Sequence, residues 1–131
     1  MKKILLFLAV SFCIGNSYVH AQAVAKPQHN SQASRKLTEQ QKIDALIRYV
    51  AGLQGATFIR NGSEYAAKDA AEHLELKRKK AGDRVKTARD FIDGLATESY
   101  LSGKPYQIRM KDGKTYSSRE VLLKELARLE K

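Results

Sequence analysis

Residues 56–80 read ATFIRNGSEYAAKDAAEHLELKRKK, and the way this stretch divides decides the fold. Thr57 and Ile59 are β-branched and flank Phe58, so residues 56–61 suit either a short strand or an extended link that buries Phe58. Asn61-Gly62 is a turn pair, because both residue types tolerate left-handed backbone. Ser63 then offers a side-chain oxygen to free backbone N–H groups, which predicts a helix N-cap there and a helix over about 64–80. Ala66, Ala67, Ala70 and Ala71 give this helix small side chains along which another helix can approach closely. Gly82, after a basic last turn, is its expected stop.

Outward from that stretch the pattern stays helical. Thr38 with Gln41 forms a capping box, and Ile43, Leu46, Ile47, Val50 and Leu53 follow as one apolar stripe. On the other side, Asp83 is the expected cap of a third helix, with Val85, Ala88, Phe91, Ile92, Leu95 and Ala96 on its apolar face. Ser102-Gly103-Lys104-Pro105 reads as a turn. Tyr106, Ile108 and Met110 alternate with Gln107 and Arg109, as in a half-buried strand. Asp112-Gly113 is a hairpin turn, and Thr115-Tyr116 begins a short return strand. Ser117 with Glu120 forms a second capping box, opening a last helix that presents Val121, Leu122, Leu126 and Leu129 to the core. The expected fold is mainly α: a single small domain of about four helices with a short β-hairpin before the last helix.

The N-terminus sets the expected compartment. Met1-Lys2-Lys3 is a basic start, residues 4–15 form an apolar run of 12, and Ala21-Gln22-Ala23 is a small-x-small site. That is the pattern of a secretory signal peptide over 1–23, cleaved after Ala23. A spanning helix needs about 20 apolar residues, and Asn16, Ser17 and His20 interrupt this run. Phe12 before Cys13 does not suit lipoprotein acylation. Residues 24–36 are polar and aperiodic and read as a disordered spacer. The domain is then 37–131, with 95 residues, enough for one core and too few for two.

Cleavage removes the only cysteine, so disulfide, thiol and thiolate-metal chemistry are all excluded from the mature chain. It leaves 22 Lys and Arg against 14 Asp and Glu, a balance of +8. Export turns such a balance away from nucleic acid and toward an unknown partner protein or an anionic cell-envelope component. The mature chain is expected to carry no transmembrane anchor. No cofactor or metal site is expected: His29 lies in the spacer, leaving His73 alone, with no carboxylates at ligand spacing. The basic run Lys77-Arg78-Lys79-Lys80 is read as a solvated helix end that complements the dipole.

One constellation could carry chemistry. Tyr65, Asp69, His73 and Lys77 are spaced by four, so at about 100° per residue they would share one helical face. Asn61 and Arg60 lie just before it. A general acid–base role for His73, oriented by Asp69, is chemically available. The same row would equally serve as a polar binding surface, or simply support the helix.

Several spaced motifs carry a family resemblance: Phe58-Ile59-Arg60-Asn61-Gly62 with Tyr65, Ala70-Ala71-Glu72-His73-Leu74 with Lys77, Thr87-Ala88, Phe91-Ile92, Ser99, and Ser102-Gly103-Lys104-Pro105-Tyr106. The chain resembles the YfeK-like family of small exported bacterial proteins, a domain of unknown function, over about half of the domain. The resemblance implies a small, mostly helical, exported protein and transfers no catalytic residue. The functional expectation is a non-enzymatic binding or interaction module in the periplasm. Its expected surface comprises Asn61, Tyr65, Asp69, His73, Lys77, Ser102, Pro105 and Tyr106. The alternatives are envelope association through the basic segment 77–89 and a small hydrolase using His73.

Overall fold

The computed structural model describes residues 36–131. The expected signal peptide over 1–23, and all but the last residue of the expected spacer, lie outside the described residues. Helix α1 spans Glu39–Ala51 and begins at the expected capping box. Gln41 N–H donates to Thr38 Oγ1 at 3.2 Å, and Thr38 N–H donates to Gln41 Oε1 at 2.9 Å. Its stripe buries Ile43, Leu46 and Val50 completely.

The decisive stretch folds as a hairpin before it folds as a helix. Strand β1 is Thr57–Arg60, strand β2 is Ser63–Ala66, and helix α2 is Ala67–Ala81. The helix expected from about residue 64 therefore starts later, and Ser63 lies in a strand rather than at a cap. Asn61 (φ 54°) and Gly62 (φ 84°) both sit in the left-handed region. Two such residues in a row make the turn whose twist matches that of paired strands. Ser63 then pairs with Arg60, and Tyr65 with Phe58. Helix α2 follows an N-cap position, Ala66, that gives no side-chain hydrogen bond, and it stops as expected at Gly82, whose φ is 52°.

Strands β3 (Gln107–Arg109) and β4 (Thr115–Ser117) form the expected hairpin. That hairpin joins the other one in a four-stranded antiparallel sheet of order β2-β1-β3-β4. The mainly α expectation is thereby corrected to a mixed α/β domain: four helices around a small sheet. The register puts Tyr65, Phe58, Ile108 and Tyr116 opposite one another across all four strands. This row faces the helices, with Phe58 and Ile108 buried. On the other face Glu64, Gln107 and Ser117 are exposed, as one-sided antiparallel sheets allow.

The third helix also starts elsewhere than expected. Asp83 falls in a 3-10 turn (Gly82–Arg84), and helix α3 is Ala88–Phe91, continued by a π-helical turn over Ile92–Ala96. Thr87 is the cap: its Oγ1 accepts from Asp90 N–H at 3.0 Å, and Asp90 Oδ2 accepts from Thr87 N–H at 2.9 Å. Glu39 of α1 adds a third acceptor, taking the Ala88 N–H at 2.8 Å. Three carboxylate and hydroxyl acceptors thus converge on the N–H groups around residue 88, and Asp83 has no comparable set. Thr87→Ala is expected to destabilise the domain by about 1 kcal/mol. Asp83→Ala should stay within about 0.5 kcal/mol. Urea unfolding of the two variants checks the pair, and equal losses would refute this assignment of the cap.

Helix α4, Ser118–Leu129, starts at Ser117, whose Oγ accepts from Glu120 N–H at 3.1 Å. The core gathers Ile43, Leu46 and Val50 of α1, Leu74 of α2, Phe91, Ile92 and Ala96, the sheet's Phe58 and Ile108, and Leu122 of α4. No helix of the described residues is long and apolar enough to cross a membrane.

Candidate functional site

Side chains on a strand alternate between faces, so Arg60 shares the inward face of Phe58. It sits at the end of β1, beyond the core, and its guanidinium meets α2. Arg60 Nη1 lies 2.7 Å from His73 Nε2 and 3.2 Å from Nδ1. Its guanidinium carbon lies 5.4 Å from the centroid of the Tyr65 ring. Arginine only donates, so the ring nitrogen it meets must be unprotonated and His73 is neutral. Burial, and then the charges of Arg60, Lys77 and Lys80, hold the His73 pKa below its ordinary 6.5.

A pocket of about 200 Å³ opens at this junction. Phe58, Ala70 and Leu74 supply apolar surface, Arg60 and His73 the polar wall, and Tyr65 and Tyr106 the aromatic sides. Asp69 also lines it but is exposed. The volume somewhat exceeds the roughly 150 Å³ that holds a single benzene ring in a dry cavity.

Tyr106 is held from both sides. Its N–H donates to Thr97 O at 2.8 Å, and its carbonyl accepts from Ser118 N–H at 2.9 Å. Lys77 packs under it, with Nζ 5.0 Å from the ring centroid and 3.3 Å from the hydroxyl. The Lys77 ammonium also donates to the carbonyls of Leu95 and Glu98, tying α2 to the end of the π-helical turn. Burial, and then the Arg60 charge, push the Lys77 pKa down. Burial pushes the Tyr106 hydroxyl up, and the Arg60 charge pulls it partly back.

The turn residues hold the neighbouring loop. Ser102 Oγ donates to Asn61 Oδ1 at 2.6 Å, and Asn61 Nδ2 donates to Ser99 Oγ at 3.4 Å. Gly103 N–H closes the loop on Ser99 O at 2.8 Å.

The expected surface residues therefore separate into groups. Tyr65, Asp69, His73 and Tyr106 line one pocket. Tyr65 reaches it from a strand, not from the helical row in which it was placed. Lys77 lies under Tyr106, and Asn61 with Ser102 braces the adjoining loop. Pro105 is exposed and lines no part of the pocket. The expected orientation of His73 by Asp69 does not form among the described residues; Arg60 takes that position. Arg60 is the residue that sequence reasoning left beside the site. Its period-two spacing from Phe58, before an Asn-Gly turn, was the available signal. Among the described residues, no group of three or more His, Cys, Asp and Glu is placed to hold a metal ion.

The low His73 pKa has a consequence for stability. The folded protein binds this proton less tightly than the unfolded chain, so stability rises with pH between the depressed native value and the ordinary 6.5. The contribution is complete above 6.5 and is lost as pH falls through the native value. The urea midpoint is expected to decline below about pH 6.5, and His73→Gln should flatten that part of the profile. The lowered carboxylates Glu39 and Asp90 act at more acid pH, below their ordinary 4.5 and 3.8. An unchanged profile in His73→Gln would contradict the lowered His73 pKa.

Fold and site together define a small α/β domain with one sheet face covered by helices and a compact pocket at the end of β1. The chain belongs to the family of unknown function DUF5329, which it matches over residues 37–130. It is 38% identical over 68 residues to the uncharacterized protein YfeK of Salmonella typhimurium, a match covering 52% of this chain. The chain spans about 57% of that relative's length. This agrees with the resemblance drawn from the motifs. No solved structure matches the chain.

Proposed function

We propose that this protein is an exported, non-enzymatic binding module that works in the periplasm, and that the pocket between β1, α2 and Tyr106 holds its ligand or partner group. The observation that carries the binding reading is the pocket itself: apolar surface beside one guanidinium, one imidazole and two aromatic rings. Such a mix of apolar lining with a few convergent polar groups is what ligand sites share. A non-enzymatic reading is supported by the environment of His73. Its ring nitrogen accepts from a cation rather than facing a carboxylate that would orient it as a base. Export is supported by the basic start, the apolar run and the small-x-small site at residues 1–23.

Envelope association through residues 77–89 has less to support it. Arg78 meets Asp44 and Gln40 of α1, Lys79 meets Glu75, and Arg84 donates to the carbonyls of Lys80 and Ala81. Much of that basic segment is engaged within the domain.

Two measurements test the proposal. N-terminal sequencing of the protein from an osmotic-shock fraction is expected to start at Val24; a cytoplasmic protein retaining Met1 would overturn export. An NMR screen against a library of single-ring fragments is expected to move the amides around Phe58, His73 and Tyr106. Tyr65→Ala and His73→Ala should weaken those responses with the fold retained. A library that leaves these amides unmoved would overturn the binding reading.

A further inference from the structure

The half-buried arginines of the described residues differ in one respect. Arg78 meets Asp44, Arg109 meets Glu64 at 2.7 Å, and Arg119 meets Asp93 at 2.9 Å. Arg60 has no carboxylate partner among the described residues; its contacts are a neutral imidazole, the face of Tyr65 and the Tyr106 hydroxyl beside it. Withdrawing a guanidinium from water is unfavourable unless an anion or a full set of acceptors replaces the lost hydration. The imidazole and the Tyr106 hydroxyl, both neutral, satisfy at most two of its five donors, so most of the fork remains unmatched by protein acceptors.

Three neighbours sharpen that demand. Lys77 adds a second positive charge nearby, close enough to depress the pKa of His73. The same ammonium is committed to backbone carbonyls and the Tyr106 ring, so it contributes field rather than a free donor. Asp69 lines the exposed edge of the pocket, so by formal charge Arg60 and Lys77 against Asp69 leave one net positive charge there. The rest of the lining is mostly apolar or aromatic, from Phe58, Leu74, Tyr65 and Tyr106, with Gln107 and Ser118 as neutral polar members, in a volume of about 200 Å³. That space admits one ring or one branched aliphatic group.

We infer that the pocket binds a small organic carboxylate, its carboxylate paired with the Arg60 guanidinium and its ring or branched chain seated among Phe58, Leu74 and Tyr106. Planar guanidinium and planar carboxylate make parallel N–H···O contacts that a lysine does not reproduce. The inference rests on the binding reading above and adds the chemical class of the ligand.

Phenylacetate and its neutral isostere phenylacetamide are the probes, titrated into the purified full-length protein and followed by amide NMR. Phenylacetate is expected to move the amides of residues 58–65, 70–74 and 106–107, and phenylacetamide to bind about tenfold more weakly or worse. Arg60→Gln should remove the difference between the probes, and Arg60→Lys should restore part of it. Equal binding of the two probes to the unaltered protein would overturn the carboxylate assignment while leaving a binding pocket in place. Shifts confined to surface lysines, and unchanged in Arg60→Gln, would overturn it as well. If Arg60→Gln fails to fold, the comparison of the two probes on the unaltered protein still decides. If neither probe moves these amides while other fragments do, the ligand class is wrong and the pocket stands.

Discussion

Replacing Ile108 by alanine is expected to lower the stability of the domain by about 2–5 kcal/mol. Ile108 is fully buried at the centre of β3, opposite Phe58 on one side and Tyr116 on the other. Removing its branched chain leaves a cavity against both neighbours and against the helical layer, and the central position gives the site little freedom to collapse. For a domain of this size the total stability is about 5–15 kcal/mol, so the thermal midpoint should fall by about 10 °C or more. Ile108→Val, which deletes a single methyl group, should lose only about 0.5–1.5 kcal/mol. The measurement separates two architectures. A β3–β4 hairpin standing alone beside a helical bundle would tolerate the change, and a loss below about 1 kcal/mol would refute the four-stranded sheet.

The double replacement Asn61→Ala with Gly62→Ala is expected to destabilise by about 2–4 kcal/mol, because Gly62→Ala places a new Cβ in left-handed backbone and Asn61→Ala loses the polar side chain that makes that region tolerable. At Gly62 the penalty is conformational rather than steric: an added Cβ would meet nothing within 4 Å. At Asn61 the change also removes the side chain that accepts from Ser102 and donates to Ser99. The turn fixes the register in which Arg60 faces α2, so the damage should reach the pocket. Amide NMR is expected to show perturbation at His73 and Tyr106 as well as in the turn. Gly62→Asn alone, which tolerates positive φ better, should cost less. A double variant as stable as the parent would show that this turn is not the hinge of the hairpin.

Which parts of the fold could be read in advance follows from how local their causes are. The Thr38 capping box, the stripe of Ile43, Leu46 and Val50, the stop at Gly82 and the Asp112-Gly113 hairpin depend on neighbours within a few residues. Each appears where its local chemistry placed it. The stretch from Ser63 to Ala66 carried two local meanings. Ser63 is a sound helix cap, and Ala66 and Ala67 are strong helix formers. What overrode them was the pairing of Tyr65 with Phe58 and the docking of β3 on β1. The second partner lies some 50 residues along the chain. Asp83 against Thr87 is the same kind of case: both are capping residues, and Glu39 of another helix adds its acceptor only at the second.

The site follows that division. Helical spacing singled out Tyr65, Asp69 and His73, and the family motifs Tyr106, and the fold brings them to one pocket. Arg60 needed the strand pairing. Its chemistry depends on which face of β1 it occupies, and a helix starting at Ser63 would have left it in a loop. Asp69 was placed as the partner of His73 because four residues separate them, and that spacing permits contact without requiring it.

By itself the sequence determined the starts of α1 and α4 at the Thr38 and Ser117 caps, the Asn61-Gly62 and Asp112-Gly113 turns and the chemical inventory of the site, because these depend on backbone preferences and side-chain hydrogen bonds between near neighbours. The family resemblance rests on the same local motifs. Only the tertiary structure decided that the Asn61-Gly62 turn joins two strands, that both hairpins form one sheet, and that a cation rather than a carboxylate meets His73. Those outcomes depend on burying Phe58 and Ile108 together across a long loop, a non-local gain that no window of sequence contains.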